Sequence, residues 1–252
     1  MILFDYGHTL VAETGFSTLR GIAAVMERAA SNPHGHTPEQ VAAFVGGIFG
    51  SLCVKAHENG VELHNRHMDR LVYEYLQIEL SAPLDEVERI FWDNAAPGAA
   101  LPNAGRMLAY LGDNGIRTGV VSNIGFSEAA LKRRIDRLLP GNSFEFVIAS
   151  SEYMIRKPNP MIFGLALRKA RLDAEADVGS TWFCGDSPVA DIEGAASAGL
   201  FPVWYENLTH ENPFREKPGD PPACAHMHIH DWQELMDALS AQETQGDGSS
   251  VR

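Results

Sequence analysis

Three apolar runs in the sequence stop at residues that can do chemistry, and a lysine lies between the second run and the third. ILF precedes Asp5, TGVV precedes Ser122 and Asn123, and TWFCG precedes Asp186, while Lys157 stands in RKPNP. Short apolar runs of this kind are typical of buried parallel strands. In such sheets, ligands bind at the carboxyl ends of the strands. These residues are therefore candidates for one site at a sheet edge.

Each of these residues has a chemical use and an ordinary structural alternative. A carboxylate such as Asp5 can attack phosphorus or carbon and form a covalent ester, and Ser122 with Asn123 can bind phosphate oxygens. Lys157, held in extended geometry by the following proline, can offset the charge of a phosphate. The alternatives are a polar strand end, common turn residues and a solvated lysine, and no single segment excludes them.

The segment GDSPVAD is the most specific of these patterns. Asp186 follows an apolar strand, and Asp191 begins a helix that is rich in small residues. Two carboxylates that flank one turn can bind a hard cation such as Mg²⁺, which prefers oxygen ligands. A capping role would explain Asp191 but not the abrupt Gly185-Asp186 pair, so the pattern favours a cation site.

The spacing of apolar residues predicts an α/β fold with a mostly parallel sheet. Five runs are typical of strands (ILF, TGVVS, FEFVIAS, TWFC and FPVWY), and helical patterns cover 104–111, 160–171 and 191–198. Strands that alternate with helices of this length form right-handed βαβ units. These elements would position the candidate residues at the carboxyl edge of the sheet.

Residues from about 15 to 94 break this alternation. They contain no convincing strand, and their patterns predict helices over 16–30, 38–58, 69–80 and 85–94, followed by a linker in AAPGAALP. We therefore expect an α/β core formed by residues 1–14 and 97–240, with residues 15–96 as an all-helical insert after the first strand. Residues 241–252 are polar and contain glycine, and we expect them to be disordered.

The composition is that of a globular protein with an acidic surface. The net charge of −13 and the pI of about 5.1 argue against a nucleic-acid partner, which requires a basic surface. Neither a run of about 20 apolar residues nor a signal-peptide pattern is evident, so we expect no membrane partner and a cytoplasmic location. Cys53, Cys184 and Cys224 form no CxxC pair, which suits a reducing compartment.

In their order along the chain, these segments resemble the haloacid dehalogenase-like (HAD) superfamily. Its members carry a strand ending in an Asp nucleophile, a strand ending in Ser or Thr, a Lys, and an acidic turn of the GDSxxxD type. The matching segments here are FDYGHTL, VVSN, RKPNPMIF and GDSPVADIEGAASAGL. The insert resembles the C1-type helical cap of the subfamily I phosphatases, and the likeness extends over residues 1–205.

The resemblance implies a Rossmann-like core and a Mg²⁺-dependent phosphatase that acts on a small phosphorylated metabolite. Asp5 would attack phosphorus and form an aspartyl-phosphate, which water then hydrolyses. Mg²⁺ would bind at Asp5, at the backbone carbonyl of Gly7 and at Asp186. Asp191 would be a further residue of the metal site or would orient Lys157.

The same resemblance assigns Ser122, Asn123 and Lys157 to the phosphoryl oxygens. In this family the cap supplies substrate specificity and excludes water during the first step. Oligomeric state and the identity of the substrate do not follow from these motifs.

Position 7 departs from the superfamily pattern. Phosphatases of this superfamily usually read DxDGT, with the second Asp as general acid/base, whereas this chain reads DYGHT with Gly7 at that position. The loss of general acid–base catalysis lowers a rate by about 10²–10⁴. His8 is a candidate replacement because imidazole titrates near neutral pH. The proton could instead come from the insert, where His57, His64 and His67 are candidates, or from the substrate.

Three functions stay open at this point. The leading one is a phosphatase, which would be slow if nothing replaces the missing carboxylate. The second is a catalytically weak or silent protein that binds a phosphorylated ligand, indicated by Gly7. The third is a 2-haloacid dehalogenase: such members also lack the second Asp but need no magnesium, whereas this chain keeps Asp186 and Asp191. Phosphate chemistry is therefore favoured.

The segment CAHMHIH places Cys224, His226, His228 and His230 on one face of a possible strand. Such a set can bind zinc or nickel, although adjacent positions on one strand rarely complete a tetrahedral shell. We favour a peripheral strand with a histidine face and leave a metal site there open.

Overall fold

The computed structural model of the chain describes residues 1–173, 176–207 and 221–247. Within these ranges the strands are β1 (Ile2–Phe4), β2 (Val11–Ala12), β3 (Ala29–Ser31), β4 (Glu79–Leu80), β5 (Ala99–Ala100), β6 (Thr118–Ser122), β7 (Val147–Ala149), β8 (Trp182–Gly185), β9 (Phe201–Tyr205) and β10 (Met227–Ile229). The α-helices are α1 (Thr18–Met26), α2 (Pro38–Glu58), α3 (Asn65–Tyr75), α4 (Leu84–Ala95), α5 (Ala104–Asp113), α6 (Glu128–Leu138), α7 (Pro160–Lys169), α8 (Gly194–Ser197) and α9 (Trp232–Asp247). A π-helical segment, Pro188–Glu193, directly precedes α8.

Six strands form the central sheet in the order β10-β9-β8-β1-β6-β7. Strand β1 lies in the middle, because its three residues pair with both β6 and β8. All pairings among these described strands are parallel. The prediction of an α/β fold with a mostly parallel sheet is therefore confirmed.

Strand β1 is apolar throughout because hydrophobic cores cover both of its faces. Ile2 and Phe4 belong to one core, where the Phe4 ring lies 5.6 Å from the ring of Trp232. Leu3 belongs to the core on the opposite face, with Phe163. Successive side chains of a strand point to opposite faces, so this alternation holds the end of β1 at a defined position.

The segment between β2 and β5 contains α1 to α4, together with the small antiparallel pair β3–β4. This pair corrects the expectation that residues 15–94 contain no strand. Helix α1 ends at Met26, before the predicted residue 30, and α3 covers 65–75 rather than 69–80. Gln77 has a φ of 55°, outside the α-helical region, and the buried Ile78 had continued the apolar pattern past the true helix end.

The chain passes from the core to the insert after β2 and returns to the core at β5, and these two strands form a second antiparallel pair. Val11 pairs with Ala100, and Ala12 pairs with Ala99. The predicted boundaries at 14/15 and 96/97 lie just inside this pair, and part of the predicted linker is therefore a strand. The pairing brings the entry to and the exit from the helical segment side by side.

Two expectations differ from the structure toward the C-terminus. The predicted helix over 191–198 is divided between the π-helical segment and the short α8. Helix α9 extends to Asp247 and so enters the tail that was expected to be disordered, whereas residues 248–252 lie outside the described ranges.

Among the described helices, α2 is long and apolar enough, by length and composition alone, to cross a membrane. This helix differs from the expectation that the chain has no apolar run of membrane-spanning length. The best window has a mean hydropathy of 1.2, and 11% of it is buried. Val41 and Phe49 of this helix are buried in the hydrophobic cluster of the insert.

Candidate active site

Asp5 lies at the carboxyl end of β1 and is buried. Its backbone N–H donates to the carbonyl of Cys184 at 2.9 Å, which continues the pairing with β8 by one residue. The hydroxyl of Thr9 donates to Oδ2 of Asp5 at 3.4 Å. Thr9 is fully buried and was missed by the sequence analysis, although its place in DYGHT, four residues after Asp5, was a signal for it.

Lys157 connects Asp5 with Asp191. Its ammonium nitrogen, Nζ, lies 2.7 Å from Oδ1 of Asp5 and 2.6 Å from Oδ1 of Asp191, and all three side chains are buried. Burial lowers the pKa of Lys157, but the two carboxylates outweigh burial and raise that pKa overall. Burial raises the pKa of Asp191 to about 6, although the Lys157 ammonium opposes the shift. The lysine is therefore a fixed positive charge inside the site.

Asn123 holds the backbone of Lys157 through both its N–H and its carbonyl. Its amide Nδ2 donates to the Lys157 carbonyl at 2.9 Å, and its Oδ1 accepts from the Lys157 N–H at 2.8 Å. The side chain predicted to bind phosphate thus positions Lys157, whereas phosphate binding by the backbone N–H of Asn123 stays a prediction. The bond between Lys157 and Pro158 is cis.

The acidic turn after β8 brings Asp191 back over the strand end. Ser187 caps the following π-helical segment, and its N–H donates to Oδ2 of Asp191 at 2.9 Å. A Cβ placed on Gly185 would lie 2.4 Å from Cβ, Cγ and Oδ2 of Asp191. Only a glycine permits this approach, which explains the Gly185-Asp186 pair that capping alone had left unexplained. Trp204 donates to the Asp186 carbonyl at 3.2 Å and fixes the turn.

Three carboxylates converge at this edge of the sheet. Asp5, Asp186 and Asp191 each offer one oxygen, and these oxygens lie within 4.8 Å of one another. When ionised, the three carboxylates and the Lys157 ammonium leave two net negative charges. Hard oxygen donors suit Mg²⁺, and the charge matches that of a divalent cation, so the donor set fits this metal. The Gly7 carbonyl, the remaining predicted ligand, lies in the turn after Asp5, and its role stays a prediction.

The turn after Asp5 has room where the missing carboxylate would lie. A Cβ placed on Gly7 would meet no atom within 4 Å. His8 is buried and has a φ of 57°, and its backbone N–H donates to the Val11 carbonyl at 2.7 Å. Ser122 is also buried, at the end of the neighbouring strand β6. Whether His8 replaces the absent acid/base stays a prediction.

The three candidate histidines of the insert contact groups other than Asp5 and Lys157. His57 lies 2.9 Å from a carboxylate oxygen of Glu62. Nδ1 of His64 accepts from a backbone N–H at 3.2 Å, and burial lowers the pKa of His64. The ring of His67 lies 5.5 Å from the ring of His64 and is exposed. These contacts give no support to a proton-transfer role for the three side chains.

Two buried glutamates of the insert bind the loops of the core, and the sequence analysis missed both. Glu62 accepts from the Ser150 hydroxyl at 2.9 Å. Glu88 accepts from the N–H and the hydroxyl of Ser127 at 2.7 and 2.6 Å and from Nε of Arg66 at 3.0 Å. Glu88 lies in a predicted helix, where a glutamate usually indicates a solvated face, and Glu62 lies between two predicted helices. The sequence therefore carried no signal for these contacts.

The structure groups only part of the CAHMHIH segment. His228 and His230 lie with Glu206 so that one ligand atom from each falls within 4.8 Å of the others. Nδ1 of His226 instead lies 2.8 Å from the Cys224 carbonyl. The candidate metal cluster therefore combines Glu206, which follows β9, with two histidines at β10, and is not formed by one strand face alone.

A family model described as haloacid dehalogenase-like hydrolase matches residues 1–199 of the chain. Among solved structures, a HAD phosphatase from Thermococcus onnurineus aligns over 94% of this chain and 96% of its own, with 19% identity and a TM-score of 0.60. A 2-haloacid dehalogenase from Pseudomonas syringae pv. Tomato DC3000 aligns over 96% and 98%, with 21% identity and a TM-score of 0.59. At these identities the likeness shows a shared fold.

Two curated relatives match shorter parts of the chain. The pyrimidine 5'-nucleotidase YjjG of Escherichia coli (strain K12) is 31% identical over 137 residues, which are 54% of this chain and 56% of the relative. The glyceraldehyde 3-phosphate phosphatase of Pyrococcus abyssi (strain GE5 / Orsay) is 31% identical over 109 residues, which are 42% of each protein. The chain thus spans about half the length of these relatives.

Proposed function

The chain belongs to the haloacid dehalogenase-like hydrolase family, and we propose that it is a Mg²⁺-dependent phosphatase that hydrolyses a small phosphorylated metabolite. The names of the two curated relatives, a nucleotidase and a phosphatase, support phosphomonoesters as the substrate class. The net charge of −13 makes nucleic acid an unsuitable substrate, since its phosphates would meet an acidic surface. A cytoplasmic location stays a prediction.

One observation carries this proposal: the Lys157 ammonium lies between Asp5 and Asp191, beside a third carboxylate. An anionic phosphate can approach a carboxylate nucleophile only where positive charge offsets their repulsion. Lys157 is fixed for this task by Asn123 and by its two carboxylate partners. When bound, Mg²⁺ would add charge neutralisation at the phosphoryl oxygens.

The proposed reaction has two steps. Asp5 attacks phosphorus, the bond from phosphorus to the oxygen of the organic group breaks, and that group leaves as an alcohol after taking up a proton. Water then attacks the phosphorus of the aspartyl-phosphate, which releases inorganic phosphate and restores Asp5. Ser122, the Asn123 backbone N–H and Lys157 hold the phosphoryl oxygens during both steps. The proton source, His8 or another group, is the open element.

We further propose that the helical insert, residues 15–96, acts as a C1-type cap over this site. Glu62 and Glu88 attach it to the core loops through Ser150 and Ser127. These loops follow β7 and β6, so the insert contacts the core beside Asn123 and Lys157. Such a cap excludes water and selects the organic part of the substrate.

The test is an assay of inorganic phosphate release from sugar phosphates, nucleoside monophosphates and glyceraldehyde 3-phosphate, with Mg²⁺ and with a chelator. We expect release that requires the metal and falls by about 10³-fold or more in Asp5→Asn. Asp113→Asn is the matched control, because Asp113 is exposed at the end of α5, a helix that contributes no residue to the candidate site. Turnover that survives Asp5→Asn would rule out Asp5 as nucleophile.

A second candidate function rests on Gly7, which leaves the site without the usual acid/base carboxylate. The protein would then bind a phosphorylated ligand with little or no turnover. Calorimetric binding of a phosphomonoester that is not hydrolysed over hours would favour this function. Halide release from a 2-haloacid that persists in a chelator would instead indicate a dehalogenase.

A further inference from the structure

The helical insert contains a pocket of about 320 Å³ that the proposed phosphoryl chemistry does not use. All four helices of the insert contribute to it, and its wall is mostly apolar, with Ile22, Phe49, Val72 and Phe91 among the lining residues. Pockets of this size and composition are typical of small-molecule sites, where a few polar groups fix the ligand.

Asp69 on α3 is the one carboxylate among the lining residues. It is half-buried, and no other described residue donates a hydrogen bond to its carboxylate or forms an ion pair with it. The two arginines of the same helix bind elsewhere: Nε of Arg66 lies 3.0 Å from Glu88, and Nε of Arg70 lies 3.7 Å from Glu74. Burial, and then the Glu88 charge, raise the pKa of Asp69 to about 7.

Asn65 joins the pocket to a core loop that begins at the candidate active site. Asn65 lines the pocket, and its backbone N–H donates to the carbonyl of Gly125 at 2.8 Å. A Cβ on Gly125 would lie only 2.6 Å from Oδ1 of Asn65, so the two loops are closely packed. Gly125 belongs to the loop that directly follows Ser122 and Asn123, the predicted phosphate-binding residues.

We propose that this pocket binds an organic ammonium ion with an apolar body, and that this ion is the leaving-group part of the phosphorylated substrate. An unpaired carboxylate in apolar surroundings binds a cation strongly, because the low local dielectric strengthens their attraction. A neutral group of the same shape lacks this attraction, and an anion is repelled. The leaving-group role rests on the proposed phosphatase function, whereas binding of the ammonium ion does not.

Helix α2 offers variants that separate filling of the pocket from a change in stability. Gly50 lines the pocket and Gly47 does not, and a Cβ on either would meet no atom within 4 Å. Leucine at both positions makes the same gain in helix propensity. Gly50→Leu therefore fills the pocket, and Gly47→Leu is its matched control.

The first experiment is calorimetric titration at pH 8 with 2-phenylethylamine, a cation, and 2-phenylethanol, its neutral analogue. We expect the wild type to bind the amine at least about tenfold more tightly than the alcohol, and Asp69→Asn to lose this preference. Gly50→Leu should abolish amine binding, and Gly47→Leu should retain it. Equal affinity of the wild type for the two compounds would overturn the proposal. So would an amine preference that survives Asp69→Asn, or amine binding that survives Gly50→Leu.

The second experiment compares hydrolysis of the phosphate esters of 2-amino-2-phenylethanol and 2-phenylethanol. We expect kcat/KM to favour the amine-bearing ester by about tenfold, and Asp69→Asn to remove this preference. Equal kcat/KM values in the wild type would refute the leaving-group role while the phosphatase function stands. If neither ester is hydrolysed, that result counts against the phosphatase function alone. Amine binding that depends on Asp69 would still support the proposed ligand of the pocket.

Discussion

Nζ of Lys157 lies 2.7 Å from Oδ1 of Asp5, a contact between residues 152 positions apart in the chain. The same nitrogen lies 2.6 Å from Asp191, so one buried cation compensates two buried carboxylates. Removing one member of such a group leaves charge buried without a partner, which is far less favourable than an exposed charge. This relationship makes Lys157 important both for stability and for the proposed chemistry.

We expect Lys157→Met to lower the free energy of unfolding by about 3 kcal/mol and to abolish phosphate release. The measurements are urea denaturation and the phosphate assay. Lys132→Met is the control, because the Lys132–Asp136 pair lies on an exposed helix surface and its loss should change stability by no more than about 0.5 kcal/mol. Equal stability of the two variants would contradict the assigned role of Lys157.

Gly185→Ala should damage the site by steric overlap. The added Cβ would lie 2.4 Å from three atoms of Asp191, so Asp191 must move away from Lys157. Overpacking of this kind costs about 1–3 kcal/mol, and we expect a loss of activity in the same assay. Gly164→Ala on α7 is the control, because its added Cβ meets no atom and the change should be neutral or stabilising. A Gly185→Ala variant with wild-type stability and turnover would refute this account.

Gly7→Asp tests whether the missing carboxylate limits turnover. The space beside Gly7 is open and the φ of Gly7 is not positive, so an aspartate can be accommodated at this position. We expect kcat to rise by about 10²–10⁴ if no other group replaces the acid/base. The double variant with Asp5→Asn should stay inactive. No rise, together with a large loss in His8→Gln, would show instead that His8 already carries the proton.

Asp69 should make stability depend on pH. Its folded-state pKa of about 7 lies above the unfolded value of 3.8, so between these values the folded state binds more protons. The contribution of Asp69 to the free energy of unfolding is therefore largest below pH 3.8, falls as pH rises toward 7, and is constant above that pH. The fall approaches about 1.4 kcal/mol per pH unit.

Urea denaturation from pH 5.5 to 8.5 measures this dependence. In Asp69→Asn the free energy of unfolding should no longer fall with pH below about pH 7 through this group. Between pH 5.5 and pH 8 the variant should therefore lose less stability than the wild type. Asp237→Asn on α9 is a control carboxylate outside the pocket. Parallel pH profiles for the wild type and Asp69→Asn would contradict the burial of this carboxylate.

The sequence determined the order of the chemistry along the chain and the class of the fold. Asp5, Ser122 and Asp186 each follow a run that is apolar on both faces, and such a run has few uses other than a buried parallel strand. Because parallel strands end at the same edge, these residues had to share that edge. Lys157 was predictable for a similar local reason, since Pro158 and Asn159 define a loop before a helix.

The tertiary structure alone decided which groups bind each other. Asn123 bonds with the Lys157 backbone and Glu62 reaches Ser150. Asp69 lies in an apolar pocket and has no hydrogen-bond or ion-pair partner within the described part of the chain. None of these contacts is encoded in a local pattern, because each depends on how segments far apart in the chain pack together. The true end of α3 was missed for the same reason: Ile78 continues a helical pattern, and its burial in the insert's hydrophobic cluster is a tertiary property. Local spacing fixes which face a side chain occupies, whereas its partner depends on distances that only the packed chain defines.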